Sequence, residues 1–187
     1  RVDSVMLERM LDDGAVQSGI YAQGFRLIDA FFMFAMLFSN LLLPIFSRMI
    51  GLKENVKELF SLSSKLLIWG SIALASFCFW NAHEVLDLIY TNDIEKSVPP
   101  FQLLMLTFVA MCIILIFGTY LTALGEMKTL NTIAFIGLIV NVGVNLYLIP
   151  RWGVWGAAVS TLMAQSVVAV SQLYIVAKRL KLNWQFA

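Results

Sequence analysis

The chain has 187 residues, 60% of them hydrophobic and 13% charged, with a mean hydropathy of +0.82. Soluble globular domains carry about a quarter charged residues, so the composition excludes one and makes lipid the solvent for most of this surface. The net charge of +1 comes from 13 basic and 12 acidic side chains gathered between the apolar runs, which leaves no basic stripe to track a phosphate backbone and argues against nucleic acid as a partner.

The opening residues lack a short apolar core with a small-residue cleavage site, so no signal peptide is expected, and a chain that starts on Arg1 reads as a piece of something longer. A membrane helix needs about 20 mostly apolar residues to cross a hydrocarbon core about 30 Å thick. Five stretches meet that requirement, at approximately 20–46, 64–82, 101–123, 129–149 and 155–177. Each is expected to be helical, because a backbone in lipid must satisfy its polar groups within its own segment, and the alternation of a membrane barrel is absent. The expected fold class is an all-α, polytopic membrane bundle forming a single membrane domain.

The first span contains Arg26 and Asp29, in YAQGFRLIDAFF. Ionisable residues inside membrane helices are costly in lipid and point to an aqueous cavity or a partner, which makes both candidates for substrate contact. A structural alternative exists: counting back about 20 residues from Ser47 puts Arg26 near the outer edge, where it could snorkel and pair with Asp29. Asp29 is the sole carboxylate that this reading places inside a span. The following KENVKELFSLSSK reads as an amphipathic surface turn leading to the second span.

Cys78 in the second span and Cys112 in the third have neither CxxC spacing nor a nearby His, and read as small buried hydrophobes. Between those spans lie His83, the single histidine, and the acidic residues Glu84, Asp87, Asp93 and Glu95; no metal site or cofactor is expected there, and VLDLIY (85–90) reads as a short interfacial helix. The third span is entered through Pro99 and Pro100, and its hydroxyls can return hydrogen bonds to their own helix.

In the fourth span Gly137, Asn141 and Asn145 recur every four residues on one helix face. They read either as a close seam with amide hydrogen bonds, about 1 kcal/mol each in membranes, or as substrate contacts. NLYLIPRWGVWGAAVS then reads as a hairpin: Pro150 ends one helix, Gly153 permits the turn, and Trp152 and Trp155 sit at the headgroup level. The fifth span opens on the small residues Gly156, Ala157 and Ala158, and its Gln165, Ser166, Ser171 and Gln172 are expected to face protein or water.

Counting Lys and Arg sets the expected orientation. Arg48, Lys53, Lys57, Lys65, Lys128, Lys178, Arg179 and Lys181 fall on one side, and Arg1, Arg9, Lys96 and Arg151 on the other. The first side is expected to be cytoplasmic.

Two stretches carry a family resemblance. RVDSVMLERMLDDGAVQSGIYAQGFRLIDAFF, with LLPIFSRMI after it, resembles the C-terminal half of polysaccharide and O-antigen flippases of the multidrug, oligosaccharidyl-lipid and polysaccharide exporter superfamily, through Asp3, Gly19, Tyr21, Arg26 and a helix end at Pro44. The second stretch, YLTALGEMKTLNTIAFIGLIVNVGVNLYLIPRWGVWGAAVSTLMAQ, is similar to that family through Gly125, Lys128, Asn141, Asn145, Pro150, Gly153, Gly156, Ala157 and Ala158.

The resemblance implies about five transmembrane helices of a six-helix lobe, with the N-terminal lobe of the same chain missing. It implies a multi-pass inner-membrane protein that flips a lipid-linked oligosaccharide from the cytoplasmic to the outer leaflet by alternating access. It also implies that Arg26 lines the cavity, since Arg can hold phosphate in a bidentate way, with Asp29 orienting Arg26 or joining in ion coupling. The expected partners are the lipid-linked glycan, membrane lipid and the missing lobe. A cation-coupled multidrug exporter of the same superfamily is the alternative and asks for an acid deep within a lobe. An enzyme is not expected, because the loops are short and hold one His.

Overall fold

The computed structural model describes residues 2–91 and 93–180. Among them the chain is helical throughout: α1 (Val2–Met10), α2 (Gly14–Gly51), α3 (Lys57–Trp80), α4 (Ala82–Asp87), α5 (Ile94–Ala123) and α6 (Met127–Leu180). Four of these, α2, α3, α5 and α6, are long and apolar enough to cross a membrane. This is the all-α membrane bundle that composition demands.

The fourth such helix is folded back on itself. Gly153 breaks α6 with φ 54° and ψ −132°, a backbone region open essentially to glycine alone. Beyond the break the two halves run antiparallel: Ser160 meets Asn141, Gly156 lies against Leu148, and Glu126 pairs with Arg179. The turn lies where NLYLIPRWGVWG suggested a hairpin, although helical geometry continues past Pro150 to Trp152 before it breaks. Trp152 and Trp155 pack edge to face beside the turn, and Arg151 lies 3.7 Å above the Tyr147 ring.

Helix limits exceed the apolar runs because a helix continues where its lipid contact stops. Most of KENVKELFSLSSK belongs to α3 rather than to a turn. Similarly, α5 begins at Ile94, five residues before Pro99. The short helix expected at 85–90 lies at Ala82–Asp87. The helix end expected at Pro44 is not found, since α2 runs through that proline to Gly51. Membrane bundles tolerate such prolines where neighbouring helices and side chains satisfy the freed backbone groups.

Two cores hold the bundle together, both centred on α5. Near the Gly153 end, Leu7, Tyr21, Ile28, Phe101, Leu104 and Ile149 form one core. Near the other end, Phe46, Phe60, Phe117 and Tyr120 form an aromatic cluster that Val176 and Leu180 complete. Cys78 and Cys112 are buried and unbridged in the first of these cores. The second core joins the end of α2, the start of α3, the end of α5 and the end of α6. It therefore gathers Arg48, Lys53, Lys57, Lys128, Lys178 and Arg179 at one end of the molecule, the end that the charge count assigned to the cytoplasm. Lys181 and Arg1, counted with the two sides, lie outside the described residues.

Candidate functional site

The hairpin of α6 is tight because its facing residues are small. A Cβ built on Gly156 would lie 2.5 Å from the backbone oxygen of Leu148, and one on Gly137 would collide with the Val168 side chain. This close approach lets the Ser160 hydroxyl donate to the Asn141 carbonyl at 2.9 Å. It also brings Asn145 of the first half and Thr161 of the second onto one surface, and α1 and α2 close over that surface. The glutamine side chain of Gln17 bolts α2 to the turn, accepting the Val154 N–H at 3.1 Å.

A buried polar centre results. Asn145 donates from Nδ2 to Asp3 Oδ1 at 2.6 Å and to Asn141 Oδ1 at 3.2 Å. Tyr21 donates to Asp3 Oδ2 at 3.2 Å and shares a 2.8 Å contact with the Thr161 hydroxyl. Thr161 in turn reaches the Ala157 carbonyl at 3.0 Å. Tyr21 and Asn145 have no solvent exposure, and Asp3 has 8%. From Gly153 down to Asn145 is eight residues, about 12 Å at 1.5 Å per residue, so the acid is held well below the turn.

Oxygen acceptors crowd this centre. Three oxygen contacts run in series from Asp3 through Tyr21 and Thr161 to Ala157, and a tyrosine and a threonine hydroxyl supply two protons between them. These two hydroxyls cannot by themselves fill all three contacts while Asp3 is ionised. Asn145 adds to the excess of acceptors: its amide nitrogen is committed to Asp3 and Asn141, and its buried Oδ1 has no partner. Turning that amide over would place its oxygen against the carboxylate. A site with surplus oxygen acceptors around one buried carboxylate suits a proton or a hard cation, for which carboxylate, hydroxyl and carbonyl oxygens are the matching ligands. Its donor set fits no soft metal, and among the described residues no three His, Cys, Asp or Glu side chains cluster as metal ligands.

The structure brings two of the four candidate residues here. Asn145 is fully buried in the centre and Asn141 is half-buried at its rim. From that rim an open groove of about 560 Å³ continues past Gln165, Gln172 and Asn131 between the two halves of α6. The other two candidates lie elsewhere. Arg26 and Asp29 are exposed on the face of α2 that also carries Met33, Phe34, Leu37 and Leu41. Their level can be read from Gln23, whose side chain accepts from Ser97 in the first turn of α5 and whose carbonyl accepts from Tyr90. Arg26 is three residues further along α2, about 4.5 Å deeper.

Sequence reasoning singled out Asp3 and Tyr21 only through the resemblance and did not join them to Asn145. It also missed Thr161 entirely and took Asp29 for the only carboxylate within the bundle. The available signal was the spacing of Asn141 with Asn145, and of Ala157 with Thr161, each one turn apart on helices joined by a turn. What that spacing lacked was the third wall, α1.

An apolar helical bundle with a folded-back helix, a buried acid–amide centre and basic residues collected at one end is the architecture of a polytopic α-helical membrane protein. The chain belongs to the lipid II flippase MurJ family, whose model matches residues 4–186, nearly its whole length. The family is one of lipid-linked precursor flippases, so the expected flippase class holds at that level. No curated protein matches the chain.

Proposed function

We propose that the chain is the C-terminal lobe of a multi-pass inner-membrane transporter that moves a lipid-linked oligosaccharide, a polysaccharide or O-antigen repeat unit, from the cytoplasmic to the outer leaflet. It works by alternating access against an N-terminal lobe of the same chain, and it is a transporter rather than an enzyme. The family match over residues 4–186 carries the lipid-linked flippase part of this reading. The match itself also favours a second cargo, the peptidoglycan precursor named in the family's description.

In this mechanism the exposed Arg26 meets the diphosphate of the glycan lipid at the lobe face, with Asp29 one turn away to orient it. The polyprenyl tail stays in lipid. The Asp3, Asn141 and Asn145 centre supplies coupling: a hard cation held by the Asp3 carboxylate and the Asn145 Oδ1 ties α1 to the hairpin. A ligand shifts a two-state equilibrium only through differential affinity for the two states, and a site whose walls come from α1, α2 and α6 has that property if the lobe's helices shift during the cycle. Asp3 is also the deep acid that a cation-coupled drug exporter would require, but the family match favours the lipid-linked cargo.

The test uses cells lacking the full-length parent, restored with wild type or with Arg26→Ala. Cytoplasmic-leaflet accumulation of one lipid-linked glycan, relieved by wild type and poorly by Arg26→Ala, is expected, and the glycan that accumulates identifies the cargo. Unchanged sidedness of every lipid-linked glycan, with altered drug sensitivity, would overturn the proposal in favour of the exporter.

A further inference from the structure

A further cavity of the bundle lies away from both sites just described. It opens between α3, α5 and the second half of α6, has a volume of about 300 Å³, and is walled by Ile68, Trp69, Ile72, Phe117, Leu173 and Ala177. This volume is at the lower end of the range for ligand pockets, about 300–1,000 Å³. Two features make its mouth unlike its walls. Ser61, Ser64 and Lys65 border it on the side toward the start of α3. A second, shallow cleft lined by Lys57, Glu58, Ser61, Leu62 and Lys65 adjoins it there, with Ser61 and Lys65 common to both.

The two cavities together form an amphiphile-shaped site. Lys57, Ser61 and Lys65 follow one another at four-residue spacing, so they stack on one face of α3 over about 12 Å. Beyond Lys65 the same face becomes apolar, through Ile68, Trp69 and Ile72. Two ammonium groups against the single carboxylate of Glu58 leave the cleft net positive. The Ser64 hydroxyl is buried, borders the apolar cavity and has no hydrogen-bond partner. Lys65 immediately precedes the apolar run of α3 and so sits at the edge of the hydrocarbon, at the end of the molecule where the other basic residues gather.

We propose that this site holds one anionic phospholipid of the leaflet facing the basic end of the bundle. Its phosphate rests on Lys57 and Lys65 with Ser61, and one acyl chain lies in the cavity beside Trp69 and Phe117. Basic pockets between membrane helices hold anionic headgroups in this manner, each Lys near the surface adding about a fivefold preference. The occupant is a bilayer lipid rather than cargo, because the site lies on α3, α5 and the second half of α6, none of which contributes to the face of α2 carrying Arg26.

The test uses the full-length parent in nanodiscs of phosphatidylcholine, with or without phosphatidylglycerol. Native mass spectrometry is expected to find one phosphatidylglycerol retained by wild type in preference to phosphatidylcholine. Lys65→Gln should reduce that preference roughly fivefold, and Lys57→Gln with Lys65→Gln roughly 25-fold, if the two contributions add. Ile72→Trp, which fills the cavity and leaves both lysines in place, should abolish retention without lowering the melting temperature in phosphatidylcholine. A photoreactive benzophenone residue replacing Trp69 should form a lipid adduct. Equal retention of the two lipids by wild type, or an adduct at that position to another part of the protein or to the glycan lipid, would overturn the assignment.

Discussion

Removing the Asn145 amide tests the buried centre most directly. In Asn145→Leu the Asp3 carboxylate loses its 2.6 Å donor and keeps only the Tyr21 hydroxyl at 3.2 Å. A hydrogen bond to a charged partner contributes about 1.5–3 kcal/mol, and the buried charge left behind can no longer recover that from water. The loss of the weaker bond to Asn141 adds about 1 kcal/mol or less at the values typical of membrane helices. The expected destabilisation is therefore roughly 2–4 kcal/mol. In Asp3→Asn the charge is gone and Asn145 still has an oxygen to donate to, so the cost is smaller. Once Asp3 is neutral, most of the penalty of Asn145→Leu should vanish, because no ion is stranded. The double variant should be more stable than the sum of the single effects by about 1–2 kcal/mol. Reversible unfolding of the protein in mixed micelles, measured for all four forms, checks this. Additivity within about 0.5 kcal/mol would refute the claim that Asn145 serves the Asp3 charge.

Three other outcomes follow from the geometry. Gly156→Ala puts a methyl group 2.5 Å from the Leu148 carbonyl, where no side chain can move aside, so the hairpin must open; a cost of about 1–3 kcal/mol is expected in the same unfolding assay, against less for Gly137→Ala, whose clash is with the movable Val168 side chain. Gly153→Ala forces a Cβ into a left-handed turn and to 3.1 Å from Gln17 Oε1, with an expected loss of about 1–3 kcal/mol and earlier proteolysis at the turn. On the proposed role of Arg26, Arg26→Lys keeps the charge and loses the planar fork, so it should leave folding unchanged and lower translocation of the lipid-linked precursor by less than Arg26→Ala, as measured by leaflet-specific labelling.

The amino-acid sequence conveyed the class of fold because lipid exposure leaves a compositional mark that no packing detail can hide. It conveyed the hairpin for a different reason: Pro150, Arg151 and Gly153 interrupt an apolar run with residues whose backbone behaviour is local. Helix limits were less legible. Gly14 and Lys57 begin helices amid polar residues, where packing partners not visible in the local sequence, such as Leu7 and Glu8 of α1 against Gly14 and Phe117 of α5 against Phe60, extend the helix past its apolar part. The buried centre was legible only in halves. Asn141 and Asn145 announce a polar face, but their acceptor Asp3 lies 142 residues from Asn145 in sequence. Tyr21 stood out only as part of a family resemblance, and its bond to Thr161 spans 140 residues. Only the folding of α1 against the hairpin makes these residues neighbours.

The central place of α5 has a consequence for biogenesis. Among the described residues α2 and α3 are consecutive spans, yet each packs chiefly on α5 rather than on the other. Gly24 of α2, for instance, fits against Phe101 and Leu104, which the ribosome makes more than 70 residues later. The first two spans thus leave the translocon with their pairing surfaces vacant and cannot settle as a hairpin. They must be sheltered, by the insertase or by earlier helices, until the third arrives.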